Sequence, residues 1–462
     1  MPFGMIRHGP TPDLLADPPA LPILPGLHNV EGDIVQTSYK GMILMQIAKY
    51  SFGIGDRFGR QGRAQLMAFM EYQKAGGAAI SPVWNKSNRE HNIVHTEPPS
   101  VRVEADAAVK ALGLKGAYHV DADHIGLATV ERFLACSDFF TMDVADLIGK
   151  PASSSEVDAF SQAVRPLIGS LSIGGIAEPV HIAQTDVAVV AQKYLAAVKE
   201  AGRIYRHIAG KLGAANFIPE ISMDETSAPQ TPRELLLILA AIAAEKIPIQ
   251  TIAPKFTGRF NKGVDYQGDV AQFAKEFADD VAVIAYAVKH LGLPANLKLS
   301  VHSGSDKFSI YEPIRQTLAA TGAGLHIKTA GTTWLEEVIG LAMAGGRGLQ
   351  IAKKIYAQAL DRCDELCAPY ATVIDIDRSK LPTTQQVASW SSAEYVAALQ
   401  HDPKCPAYNA NMRQLIHVGF KVAAQLGDEY LGALAEFEAV IARNVTGNIL
   451  HRHMEKIFPR PA

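Results

Sequence analysis

Eight short apolar runs, separated by longer stretches of helical periodicity, constrain this chain more than any other feature. The runs are SFGIGDRF (51–58), AISPVWNK (79–86), GAYHVDADH (116–124), DFFTMDVAD (138–146), FIPEISMDE (217–225), IQTIAPKF (249–256), LKLSVHSGSD (297–306) and GLHIKTAGT (324–332). Strand and helix alternating eight times close into a parallel barrel jacketed by helices. The stretches between them, RAQLMAFMEYQKAG, TVERFLAC, TPRELLLILAAIAAEK, VAQFAKEFADDVAVIAYAVKHLG and IYEPIRQTLAATG, return apolar residues at three- and four-residue spacings. Helices that pack one face on a core need that spacing. Thr231-Pro232-Arg233-Glu234 supplies an N-cap with proline at the first helical position.

The expected architecture is a (β/α)8 TIM-type barrel of the α/β class over residues 41–345. A proline-rich N-terminal arm (1–40) precedes it, and a C-terminal helical extension packed on the barrel (346–462) follows. An insertion between strands four and five reads as two helices, 153–169 and 185–213, joined by a glycine-rich loop.

Composition narrows the function classes. The 462 residues are 48% hydrophobic and 20% charged, with a net charge of −3, so the balance offers no attraction to nucleic acid or an anionic membrane. No apolar run is long enough to span a bilayer: LLLILAAIAA meets Glu245-Lys246 too early. The start lacks the continuous apolar segment of a signal peptide, so a cytoplasmic protein is expected. Four scattered cysteines make no disulfide framework, and Cys363 and Cys367 read as small side chains on one helical face. The expected partner is a small molecule, and a homo-oligomer is compatible with the composition.

Strand alternation carries the chemical information. In LKLSVHSGSD, Leu297, Leu299 and Val301 face the helices, which turns Lys298, Ser300 and His302 inward. By the same rule His326 and Lys328 point inward, as do His119, Asp121 and Asp123, while Glu220, Ser222 and Asp224 share a face. Barrel interiors are ordinarily filled with branched apolar side chains, and unpaired ionisable groups are costly to bury. A metal, a ligand or a salt-bridge network must compensate. Lys298 and His119, deep in their strands, read as structural partners; Asp121 could hold a loop or pair with Lys298, and Glu225 reads as solvent-exposed. His451 and His453 read as solvated residues of a basic C-terminal helix. His124, Glu220, His302 and His326 converge on one mouth from separate strands, a donor set that suits zinc, manganese, cobalt or nickel. Dinucleotide, P-loop and nucleophile-elbow signatures are absent: the glycines of GIGDRFG miss the G-x-G-x-x-G spacing.

In YSFGIGDRFG (50–59), HVDADHI (119–125), PEISMDET (219–226), HSGSDKFS (302–309) and HIKTAGT (326–332), the chain resembles the tagaturonate epimerase family. That family interconverts tagaturonate and fructuronate, and some relatives epimerise neutral ketohexoses at C4. The resemblance implies a divalent metal held by His124, His302 and His326, with Asp123 as proton acceptor and Glu220 as proton donor. Whether Glu220 itself binds the metal stays open. Lys255, Arg259, Ser305, Asp306, Lys307 and Lys328 are the candidates for holding the sugar or its carboxylate.

The C4 hydrogen of a 2-ketohexose is β to the carbonyl and barely acidic, so direct deprotonation is closed. Oxidation and hydride return would need a nicotinamide, for which no fingerprint exists. Retro-aldol cleavage between C3 and C4, rotation and re-addition is the expected route. A Schiff base on Lys255 or Lys328 is the rival chemistry. A ketohexose 4-epimerase and a metal-dependent sugar aldolase are the alternative activities.

Overall fold

A computed structural model describes residues 38–39, 42–224, 226 and 228–460. The expected barrel is present: β1 (Tyr50–Ile54), β2 (Ile80–Ser87), β3 (His119–Ile125), β4 (Phe139–Asp143), β5 (Ile218–Ser222), β6 (Thr251–Ala253), β7 (Lys298–His302) and β8 (Leu325–Lys328) form one closed sheet. All neighbours are parallel, and β8 closes on β1 with His326 opposite Ser51.

Alternation divides the strands as read from the sequence. Phe52, Trp84, Val120, Phe140, Leu299 and Ile327 face outward into the core beneath the helices. Val83, Phe139 and Ile218 face inward and, with Ile47, make a small separate apolar cluster. Above this floor the interior turns polar.

The helix Pro232–Ala244 shows how local sequence builds the jacket. The Thr231 hydroxyl accepts from the Glu234 amide, the Glu234 carboxylate accepts from the Thr231 amide at 2.9 Å, and Pro232 occupies the first turn. Val270–Leu291 and Tyr311–Thr321 likewise form where expected.

Some expectations need correction. TVERFLAC makes only the 3-10 turn Val130–Arg132, because successive amides fold back onto the Gly126 and Phe133 carbonyls. Between β2 and β3 the chain forms two further helices, Asn88–Val94 and Pro99–Leu112, which the sequence reading did not name. The insertion after β4 contains the helices Ser154–Val164 and Gln184–Leu212. Its glycine-rich connection also holds a small antiparallel pair, Gly169–Leu171 with Val180–Ile182.

Beyond the helix Gly331–Ala344 the chain continues as further helices. Glu438–Gly447 packs on Gly331–Ala344 and on Gly62–Lys74. The segment Asn448–Met454 is wound as a wide π-turn, and His453, expected to be solvated, is fully buried there. Its sequence neighbours are charged, but the helix folds back over the barrel, which periodicity alone cannot reveal. His451 is exposed.

The arm at 1–40 lies outside the described residues except for Ser38–Tyr39, which pairs with Met42–Ile43, and Glu225 also lies outside them. Among the described residues no helix is long and apolar enough to cross a membrane. All four cysteines are free; Cys363 and Cys367 lie with their sulfurs 3.7 Å apart on successive turns.

Candidate active site

The site begins with an irregularity at the end of β3. Its pairing with β4 shifts register between Ala122 and Ile125, and His124 lies in the left-handed region at φ 51°. A regular strand sends adjacent side chains to opposite faces. The bulge instead brings Asp123 and His124 into the same mouth, where Asp123 Oδ1 accepts from His124 Nδ1 at 2.9 Å. A non-glycine residue held at positive φ costs on the order of 1–3 kcal/mol, and such strain gathers at functional sites.

His302 at the end of β7 and Asp224 just beyond β5 complete a triad with His124. Asp224 Oδ1 is 3.2 Å from His302 Nδ1 and 3.7 Å from His124 Nε2. Both of those ring nitrogens are buried without a hydrogen-bond partner. Two imidazole nitrogens and one carboxylate oxygen directed at one point can hold a divalent cation. The opposite nitrogens are already engaged: His124 Nδ1 by Asp123, and His302 Nε2 by Glu220 Oε1 at 3.0 Å. Carboxylates behind the imidazoles fix ring orientation and raise ligand basicity.

Behind the triad Lys328 crosses the barrel. Its ammonium lies 2.7 Å from Asp121 Oδ2, 3.0 Å from Asp123 Oδ1 and 2.9 Å from Glu220 Oε1, and it donates to Thr141 Oγ1. Gly53 on β1 makes room, since a Cβ there would come within 2.9 Å of Lys328 Cγ. Burial works against a charged lysine, but the three carboxylates reverse it and hold the ammonium protonated well above its ordinary range. Burial would raise Glu220 as well; Lys328 and His302 outweigh it and keep Glu220 ionised. Asp121 is pushed up to about 7 by burial, which the nearby Lys328 only partly offsets. It pairs with Lys328, not with Lys298. Lys298 donates to the Ala48 carbonyl at 2.6 Å, and His119 meets Asp138 at 3.4 Å.

The other expected site residues lie elsewhere. His326 bonds Ser51 through Nδ1 at 2.9 Å and packs on Phe139, below the triad and outside it. Burial first, helped by Lys328 and His302, pushes it down to about 3. Ser305, Asp306 and Lys307 are fully buried. Ser305 Oγ accepts from the Gly263 amide and from Lys307 Nζ, each at 2.9 Å. Asp306 is saturated: Oδ1 by Thr332 and His453, Oδ2 by Arg413 and His401, all between 2.8 and 3.0 Å. Asp306 ties the loop after β7 to the C-terminal helices, Ser305 ties it to the loop after β6, and Lys307 bonds within it, so all three are buried in structural contacts. Arg259 is half exposed and pairs with Asp375 at 3.2 Å; neither it nor Lys255 lines the mouth.

The mouth is a pocket of about 120 Å3, reached by Asp123, His124, Asp224, His302 and Lys328. Its other walls include Arg57, Arg89, Lys262, Tyr370 and His417, none of which sequence reasoning selected. Arg57 and Lys262 follow β1 and β6 and could have been sought there; Tyr370 and His417 come from the distant extension and carry no local signal. A larger cavity, about 1280 Å3 among the described residues, opens at the opposite end, beside segments that precede the strands. Barrel chemistry belongs to the carboxyl ends, where the ionisable groups converge, so the smaller pocket is the candidate active site.

A family model described as tagaturonate epimerase matches residues 38–456. The chain belongs to the tagaturonate epimerase family. It is therefore an isomerase of the carbohydrate epimerase type. The tagaturonate/fructuronate epimerase of Thermotoga maritima is 27% identical over 419 residues, covering 88% of this chain and 80% of that protein. Crystal structures of the fructuronate-tagaturonate epimerase from Cohnella laeviribosi share the fold. The native form has a TM-score of 0.70 at 26% identity, covering 88% of this chain and 81% of that one. A form with two glycerols has a TM-score of 0.74 at 24% identity, covering 90% and 83%.

Proposed function

We propose that this tagaturonate epimerase family member interconverts tagaturonate and fructuronate by metal-assisted retro-aldol chemistry at C4. The observation that carries the reading is the convergence of His124 Nε2 and His302 Nδ1 on Asp224 Oδ1. His124, Asp224 and His302 are the proposed ligand set, with Asp224 in place of His326. A divalent cation held there would supply Lewis acidity for the oxyanion that develops on the sugar.

Asp123 is the proposed base. It is ionised, reaches the pocket and takes the C4 hydroxyl proton as the C3–C4 bond breaks. The products are an aldehyde at C4 and an enediolate over C2 and C3. Lys328, also at the pocket wall, stabilises the developing negative charge as a fixed ammonium. Rotation of the aldehyde presents its other face; the C3–C4 bond re-forms, and Asp123 returns its proton to the new C4 alkoxide. Glu220 lies behind both groups, so its proposed role is to hold Lys328 charged and His302 oriented rather than to donate a proton itself. A lysine kept protonated by three carboxylates is poorly suited to form a Schiff base.

The reading is tested by incubating metal-supplemented enzyme with fructuronate and separating the products. Tagaturonate is expected. Accumulating three-carbon fragments would replace the epimerase reading with an aldolase, and no conversion by metal-loaded protein would end it.

A further inference from the structure

Asn85, near the end of β2, belongs to none of the networks that hold its neighbours. Alternation sends Trp84 out beneath the helices and Val83 into the floor cluster, so Asn85 turns into the barrel above Val83. There it stands opposite Asp121 on β3 and lines the pocket. Asparagine is depleted from strands, so its presence here calls for a reason other than strand propensity. The backbone of β1 fixes its position. Gly55 lies at φ 139°, and a Cβ there would fall 2.4 Å from the Asn85 carbonyl oxygen. A Cβ on Gly53 would come within 2.8 Å of Asn85 Nδ2 and 2.9 Å of Lys328 Cγ. The two glycines let β1 close on β2 and keep the carboxamide beside the lysine stem.

The polar groups around it are engaged with one another. Asp121 and Asp123 accept from Lys328, and Thr141 bridges Asp121 and Glu220. The Asn85 carboxamide makes no hydrogen bond to any described residue, although Asn85 is only 7% exposed. A carboxamide carries two N–H donors and an acceptor oxygen, and leaving them unpaired in a nearly buried place costs stability. The exposure that remains opens onto the pocket.

We propose that Asn85 is a catalytic residue that touches the sugar: its Nδ2 amide donates to the oxygen on which negative charge develops beside Lys328. The inference rests on the epimerase reading and deepens it by adding a neutral donor to the charged lysine. An amide has no proton to lose in the working pH range, so its contribution does not titrate. Set in a strand and wedged by Gly55, it needs no reorganisation as the charge appears.

The test compares wild type with Asn85→Ala and Asn85→Asp. Steady-state kinetics on fructuronate, metal analysis and urea unfolding are combined with calorimetry using glycolohydroxamate, a planar mimic of the enediolate. In Asn85→Ala kcat is expected to fall roughly 10²- to 10³-fold, as for the loss of one preorganised oxyanion donor, with KM and metal content little changed. Asn85→Asp keeps the shape but exchanges the donor for a negative charge, and is expected to lose at least as much. The urea midpoint of Asn85→Ala is expected to stay level or rise, because the carboxamide bonds nothing in the free protein. The hydroxamate is expected to bind wild type about tenfold more tightly than either variant, the worth of one hydrogen bond to a charged group. A wild-type kcat in Asn85→Ala, or a raised KM at unchanged kcat, would overturn the proposal and leave the epimerase intact. A lower kcat with a lowered urea midpoint and undiminished hydroxamate affinity would overturn it too, by revealing a structural role. If metal-loaded wild type forms no tagaturonate, the epimerase reading falls by itself. Weaker hydroxamate binding by the variants would then still uphold the donor, and equal binding would remove it.

Discussion

Lys328 and Asp121, 207 residues apart, meet across the barrel with Nζ 2.7 Å from Oδ2, and both are almost wholly buried. Their pairing, extended to Asp123 and Glu220, holds the lysine charged beside the pocket. Lys328→Met is expected to lower kcat by roughly 10²- to 10⁴-fold, the range for losing one positioned acid–base or electrostatic group. Borohydride added during turnover of fructuronate is expected to leave the protein mass unchanged. A trapped adduct on Lys328 would establish the Schiff-base route instead.

The triad predicts which substitutions release metal. Asp224→Ala and His302→Ala are expected to reduce bound divalent metal to a minor fraction, measured by elemental analysis after dialysis. His326→Phe is expected to retain it, because His326 bonds Ser51 outside the triad. Chelation is expected to abolish epimerisation. Metal loss in the His326 variant with retention in the Asp224 variant would restore the ligand set implied by the sequence.

Asp306 predicts a stability effect. Its carboxylate and the Arg413 guanidinium are both fully buried, 2.8 Å apart. Removing one charge of such a pair strands the other, at about 3–5 kcal/mol. Asp306→Ala is expected to lose that amount in urea unfolding. A change below 1 kcal/mol would show the network to be dispensable.

Lys298 predicts how stability varies with pH. Burial pushes its amine down to about 7, against an ordinary value near 10.4 when unfolded. Between those values the unfolded chain holds a proton that the folded chain lacks, so stability rises with pH by up to about 1.4 kcal/mol per unit from this group. Below pH 7 both states are protonated and the folded protein bears the whole penalty. Lys298→Met is expected to flatten the dependence of unfolding free energy on pH between 7 and 10. An unchanged slope would assign the effect to other groups.

What the sequence revealed follows from what is periodic. Alternation alone placed Lys298, His302, His326 and Lys328 in the interior, and eight such runs determined the barrel. Asp224 was legible on the face of Glu220 and Ser222, yet that it, and not His326, meets His124 and His302 depends on depth, which alternation does not encode. The bulge that turns His124 beside Asp123 breaks the two-residue period and leaves no sequence mark. His417 and Tyr370 reach the pocket, and His453 reaches Asp306, through the packing of distant helices. Those contacts depend on tertiary geometry, which no local pattern records.

The bond from His453 to Asp306 spans 147 residues, and it sets an order of events during synthesis. When Asp306 leaves the ribosome, neither Arg413 nor His401 nor His453 yet exists to meet it. Until they do, the Asp306 carboxylate in the loop next to His302 has Thr332 but lacks its imidazole and guanidinium partners.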